Sequence, residues 1–167
     1  RNRKTSTRLP CIMLVYRIVH KRYADSLFAS GLEGRWNSEG KKVLYTAESI
    51  SLAYLETLAH RKGLGFNKDF KIMVIKIPSN AEIQTVESSE LSKSWRDFRN
   101  YSDCQKIGNA WFDADEKLCL KVPSAVVPEN WNVVINTFHQ DFKKVKLIDV
   151  LDFEPDDRLE QIIKQYK

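Results

Sequence analysis

The feature that most restricts the fold is a set of short runs rich in branched and aromatic residues, distributed along the whole chain. They are MLVYRIV at 13–19, VLYTA at 43–47, FKIMVIKI at 70–77, LCLKV at 118–122, WNVVI at 131–135 and VKLIDVL at 145–151, with a further short strand at 83–86. Each has the length and composition of a strand, and FKIMVIKI mixes apolar and basic residues as a strand with one wet face does. Segments of helical spacing lie between them. Ser49 is an N-cap for a helix carrying Leu52, Leu55 and Ala59, with Gly63 as its stop. Leu91, Trp95 and Phe98 predict a helix within 88–101, and Ile107, Ala110 and Trp111 predict another over 103–113, weakened in its middle by Gly108. Pro155 opens a terminal helix with Leu159, Ile162 and Ile163. Strands at both ends with helices clustered between them do not alternate as βαβ units do, so the expected class is α+β. At 167 residues, 43% of them apolar, the chain suffices for one domain with its own core.

Composition narrows the function classes. Cys11, Cys104 and Cys119 are odd in number and form no CxxC or Cys/His spacing, which argues against a disulfide framework or a zinc site and for a reducing cytoplasm. No run approaches the roughly 18 apolar residues of a membrane span. The net charge of +5 suits an anionic partner, with Arg1, Arg3, Lys4 and Arg8 clustered at the start. Residues 1–12 show no apolar periodicity and Met13 directly precedes the first strand, so 1–12 are expected to be a non-native or disordered leader and 13–167 the domain. There is no GxGxxG and no P-loop, which excludes a dinucleotide held in the Rossmann manner.

The chemistry-bearing stretch is Gly34 to His60, GRWNSEGKKVLYTAESISLAYLETLAH, which sets Arg35 in a loop, Tyr45 in a strand and Glu56 in a helix. The turn at 37–40 makes Arg35 and Tyr45 neighbours across a hairpin-like connection. The planar fork of Arg35 can hold a pyrophosphate or carboxylate, and a surface ion pair would use it equally well. Tyr45 can stack on a flat heteroaromatic ring or serve as core. Glu56 lies at the edge of the apolar stripe, where it can bind ribose hydroxyls or stabilise positive charge at an anomeric carbon. On the helix alone, a solvated flank residue or an i,i+4 pair with His60 is the simpler account. Ser124, held in a stiffened extended segment between Pro123 and Pro128 and outside any GxSxG, suits ligand positioning better than nucleophilic attack. His20, His60 and His139 are too dispersed for a metal cluster, and no metal is expected; His139 follows Asn136 in a polar loop.

Six blocks, taken together, resemble the RES-domain family: YRI at 16–18, GRWNSEG at 34–40, VLYTAES at 43–49, LAYLETLAH at 52–60, VPSAVVPE at 122–129 and NVVINTFHQDF at 132–142. The resemblance spans nearly everything from Met13 to Val150. It implies a fold similar to the ADP-ribosyltransferases, with two small sheets flanked by helices around an NAD cleft. Arg35, Tyr45, Glu56 and Ser124 match the family's signature residues and are implied as catalytic and NAD-binding, with Asn136 added to the NAD-binding set. The implied function is that of a toxin in a bacterial toxin–antitoxin pair that consumes NAD, as substrate, by hydrolysis or phosphorolysis. Transfer of ADP-ribose to a protein is the alternative. An Xre-like antitoxin covering the active site is the implied partner, with DNA reached only through it; a homo-oligomer is compatible with the same reading. One departure is Thr137 where the family has Pro after Asn136. A basic nucleic-acid-binding module is the rival class, and it lacks any helix-turn-helix, RRM or zinc-finger signature.

Overall fold

The strand-forming runs pair with one another, and the computed structural model, which describes residues 12–62 and 66–165, shows how. The strands are β1 Met13–His20, β2 Val43–Ala47, β3 Phe70–Ile77, β4 Ile83–Thr85, β5 Cys119–Pro123, β6 Trp131–Asn136 and β7 Lys146–Asp152. The helices are α1 Ile50–His60, α2 Ser102–Ala114 and α3 Asp157–Gln165. All strands join one seven-stranded sheet in the order β4-β5-β6-β2-β1-β3-β7. Only β4 and β5 are parallel, so the sheet is mixed.

The α+β class holds, and the expectation of two small sheets is corrected to one sheet with a narrow waist. β1 and β2 share a single rung, Tyr16 opposite Ala47. Past it no rung joins residues 17–20 to 43–46, so four strands on one side and three on the other meet at one residue pair.

Alternation along the strands divides the core. One face carries Val15, Leu44, Ile75, Val133 and Ile135, covered by Ala24, Ala29 and Val145 from the connections. The opposite face carries two separate clusters. Leu52 and Ala53 of α1 pack on Ile18, Ala47 and Ile72, whereas Cys104 and Trp111 of α2 pack with Trp36 on Val43, Leu120 and Val134. The groove between these clusters lies over β2 and β6, and the functional residues gather there.

Residues 88–101 are not the helix their spacing predicts. A 3-10 turn at Ser88–Glu90 is followed by tight turns, with Trp95 N–H bonded to Ser92 O and Asp97 N–H to Ser94 O. Asp97 instead accepts from the backbone and side chain of Arg99, a local alternative that competes with helix formation. Trp95 is buried while Phe98 stands out in solvent. Ser49 caps α1 as expected, accepting from Leu52 N–H at 3.1 Å. The stop expected at Gly63, and the leader apart from Ile12, lie outside the described residues.

Candidate active site

Glu56 enters the groove because of where α1 turns its faces. The buried residues of the helix are Leu52 and Ala53, four and three positions before Glu56, so the carboxylate lies on the inward face. Leu55, expected in the apolar stripe, is 39% exposed, and Ala59 is exposed. The inward acid requires partners and has them: Ser124 Oγ donates to Glu56 Oε1 at 2.6 Å and Asn132 Nδ2 to the same oxygen at 2.5 Å. The i,i+4 pair with His60 is not formed. Glu56 Oε2 has no hydrogen-bond partner among the described residues.

Ser124 is buried, and its hydroxyl also accepts from Val126 N–H at 3.1 Å and Val127 N–H at 2.9 Å. The segment between the prolines is therefore a serine-closed turn rather than an extended one, with its hydroxyl proton left for Glu56. Ala125 packs on the α2 cluster and Val127 on the α1 cluster, so this turn spans the groove.

Arg35 and Tyr45 are brought together by the loop that carries Gly34 to Asn37. Tyr45 Oη accepts from Trp36 N–H at 3.0 Å and donates to Asn37 Oδ1 at 2.6 Å. Asn37, fully buried, donates in turn to the carbonyls of Leu32, Ser38 and Lys41. A Cβ on Gly34 would lie 2.6 Å from the Tyr45 hydroxyl, so only glycine allows this approach. Burial pushes the Tyr45 phenol well above its ordinary value. Its hydroxyl therefore braces the loop, and what it can offer a ligand is its ring.

The Arg35 guanidinium packs over the Tyr101 ring at 4.6 Å and donates to the carbonyls of Trp95 and Arg96. These carbonyls are available because residues 88–101 are not helical. Two of its five N–H groups are used, leaving part of the fork. Arg96 Nε in turn donates to Ala125 O at 2.8 Å, so the Arg35 loop, the 95–97 turn and the Ser124 turn form one connected wall.

Three residues of α2 hold that wall; sequence reasoning passed over Gln105 and Asn109 and read Gly108 only as a weak point of the helix. Gln105 Nε2 donates to the carbonyls of Gly34 and Asn37, and Asn109 exchanges hydrogen bonds with Ser38. Between them a Cβ on Gly108 would lie 1.8 Å from Trp36 O, so the glycine lets helix and loop backbones touch. Their signal is a pair of amides flanking a glycine at helical spacing on one face. Arg17 was passed over as well. It alternates with Val15 and Val19 on β1, opposite the α1 face, at the point where β1 leaves β2. Its guanidinium donates to Phe28 O at 3.2 Å and has no acidic partner among the described residues; burial lowers its pKa.

Asn136 lies elsewhere. It sits four residues along β6 from Asn132, about 13 Å at strand rise, and binds Asp115 and the N–H of Phe138. His139 is buried and caps a 3-10 turn by accepting from Asp141 N–H. No cluster of three or more His, Cys, Asp or Glu able to hold a metal occurs among the described residues, and no helix there is long and apolar enough to cross a membrane.

Comparison with known proteins places this arrangement in context. Residues 14–156 match the model of the RES domain. A protein named Toxin Res from Photorhabdus laumondii subsp. laumondii is 34% identical over 152 residues, covering 88% of this chain and 97% of that one. A protein named Prs ADP-ribosylating toxin from Sphingobium sp. is 31% identical over 128 residues, 74% of this chain and 80% of that one. Among solved structures, a chain of the M. tuberculosis MbcT-MbcA toxin-antitoxin complex superposes with a TM-score of 0.71 at 17% identity, covering 92% of this chain and 90% of that one. That last likeness concerns the fold.

Proposed function

We propose that this chain, which belongs to the RES domain family, is the toxin of a toxin–antitoxin pair and cleaves the bond between nicotinamide and ribose in NAD. The observation that carries this reading is the Glu56 carboxylate, fixed through one oxygen by Ser124 and Asn132 and open at the other. Cleavage of that bond passes through an oxocarbenium-like state, and a carboxylate already oriented at the ribose stabilises the developing charge without reorganising. Ser124 holds Glu56, the Tyr45 ring walls the nicotinamide side, and the remaining donors of Arg35 meet the pyrophosphate. Asn136 has no part in this scheme, because its amide is engaged by Asp115 and Phe138.

Water or phosphate is the acceptor in the primary reading. Transfer of ADP-ribose to a protein is the second, favoured by the similarity to a protein named as an ADP-ribosylating toxin. An antitoxin that covers the groove is the expected partner, in line with the solved complex that shares the fold. The test is to incubate the isolated chain with NAD, with and without phosphate, and identify products by mass. Nicotinamide with ADP-ribose or its phosphate supports the primary reading, label on a protein supports the second, and intact NAD refutes both.

A further inference from the structure

Beside Glu56 lies a buried polar atom without a partner: Asn132 Oδ1 has no hydrogen-bond partner among the described residues. The amide cannot be turned to relieve this, because its oxygen would then face the Glu56 carboxylate that its Nδ2 now contacts at 2.5 Å. An unsatisfied buried acceptor of this kind carries its full desolvation penalty, so it is kept at a cost to stability. The residue is also placed by the fold rather than by chance. Its register neighbours are Ala47 on β2 and Val122 on β5, and the small alanine leaves α1 room to lower Glu56 onto the sheet.

We propose that Asn132 is a positioning residue of this site: its N–H, together with the Ser124 hydroxyl, fixes Glu56 through Oε1 so that Oε2 faces the substrate ribose. This rests on the NAD reading above. The charged groups on the surrounding elements are engaged elsewhere. Glu48 takes Asn130 Nδ2 and Trp131 N–H, Arg96 donates to Ala125 O, and Lys121 lies over the Trp131 ring. Asn132 is thus the neutral group that sets the orientation of Glu56 together with Ser124.

Asn132→Asp separates positioning from mere structural support. With one proton shared between the introduced carboxyl and Glu56, the pair keeps the shape, the hydrogen bond and the single negative charge of the native pair. When that proton leaves, two carboxylates repel each other at hydrogen-bond distance. NAD turnover by Asn132→Asp is therefore expected to be greatest on the acid side and to fall about tenfold or more as pH rises through the second proton loss, a descending limb absent from the wild-type protein. Asn132→Ala is expected to lower kcat more than it raises KM. In the folded protein, 13C NMR of the side-chain carboxyls should show the pair in Asn132→Asp titrating at least about one pH unit above the ordinary carboxylate range. A pH profile for Asn132→Asp parallel to wild type, or carboxyl midpoints unmoved in that variant, would overturn the proposal. Wild-type protein inert toward NAD would instead overturn the functional reading, with the NMR titration still deciding whether Asn132 engages Glu56.

Discussion

Replacing Gly108 by alanine should destabilise this protein, although the same change in an ordinary helix interior stabilises by about 1 kcal/mol. The added Cβ would lie 1.8 Å from Trp36 O and 2.7 Å from its carbonyl carbon, against an ordinary contact of about 3.4 Å, so α2 and the loop must separate by roughly 1.5 Å. Little there can yield. Trp36 is 3% exposed, Asn37 is fully buried with three carbonyls on its amide, and Gln105 and Asn109 tie the loop to the helix on either side of the glycine. Overpacking of this kind costs about 1–3 kcal/mol and sometimes more. We expect a net loss of about 2 kcal/mol and, for a chain of this size, a Tm lower by about 4–8 °C in a thermal melt. NAD turnover should fall further than stability does, because the displaced loop carries Arg35. Gly40→Ala is the control: its φ of +89° makes the change unfavourable by about 1 kcal/mol, but no atom lies within 4 Å of its Cβ, so turnover should survive. A Gly108→Ala protein that melts higher than wild type would refute the reasoning that helix and loop are in backbone contact.

Other expectations follow from the same geometry. Tyr45→Phe leaves Trp36 N–H and Asn37 Oδ1 without their partner and should cost about 1–3 kcal/mol in denaturant unfolding. Because burial raises the Tyr45 pKa in the folded state, its contribution is intact below about pH 10, the unfolded value, and is lost as pH climbs toward the folded one; the alkaline fall in stability should be shallower in Tyr45→Phe. Burial pushes the Cys119 thiol up to about 12, so this cysteine should resist iodoacetamide at pH 8 in native protein and react promptly in denaturant. Ser124→Ala removes one of the two donors on Glu56 Oε1 and should lower kcat about tenfold or more in a protein that still folds.

What the sequence made legible was whatever depends on local pattern. The strand runs at 43–47 and 70–77 end where their branched residues end, and Ser49 caps α1 through its own hydroxyl. Long-range pairing was less accessible. No local signal distinguishes two sheets from one joined only at Tyr16 and Ala47, since that outcome is set by a single rung. The segment 88–101 carries an apolar period of 3.6, yet Asp97 draws the backbone into turns and Arg35, some sixty residues away in sequence, takes the carbonyls a helix would have used. Glu56 illustrates the same division. Its helix was predictable, but its inward orientation depends on Ala47 being small and on Ser124 and Asn132 arriving from β5 and β6. Gln105 and Asn109 were hidden because an amide on a helix is usually solvated, and Gly108 read only as a weak point of α2; the loop lying against the helix shows otherwise.

The central claim is that Glu56, held by Ser124 and Asn132, carries the cleavage of NAD, and its most direct test is nicotinamide release by wild-type protein and by Glu56→Gln, each shown to be folded by its thermal melt. The amide keeps the shape and an acceptor for both neighbours but removes the charge, so release should fall by about a hundredfold or more. Equal rates in the two folded proteins would contradict the account.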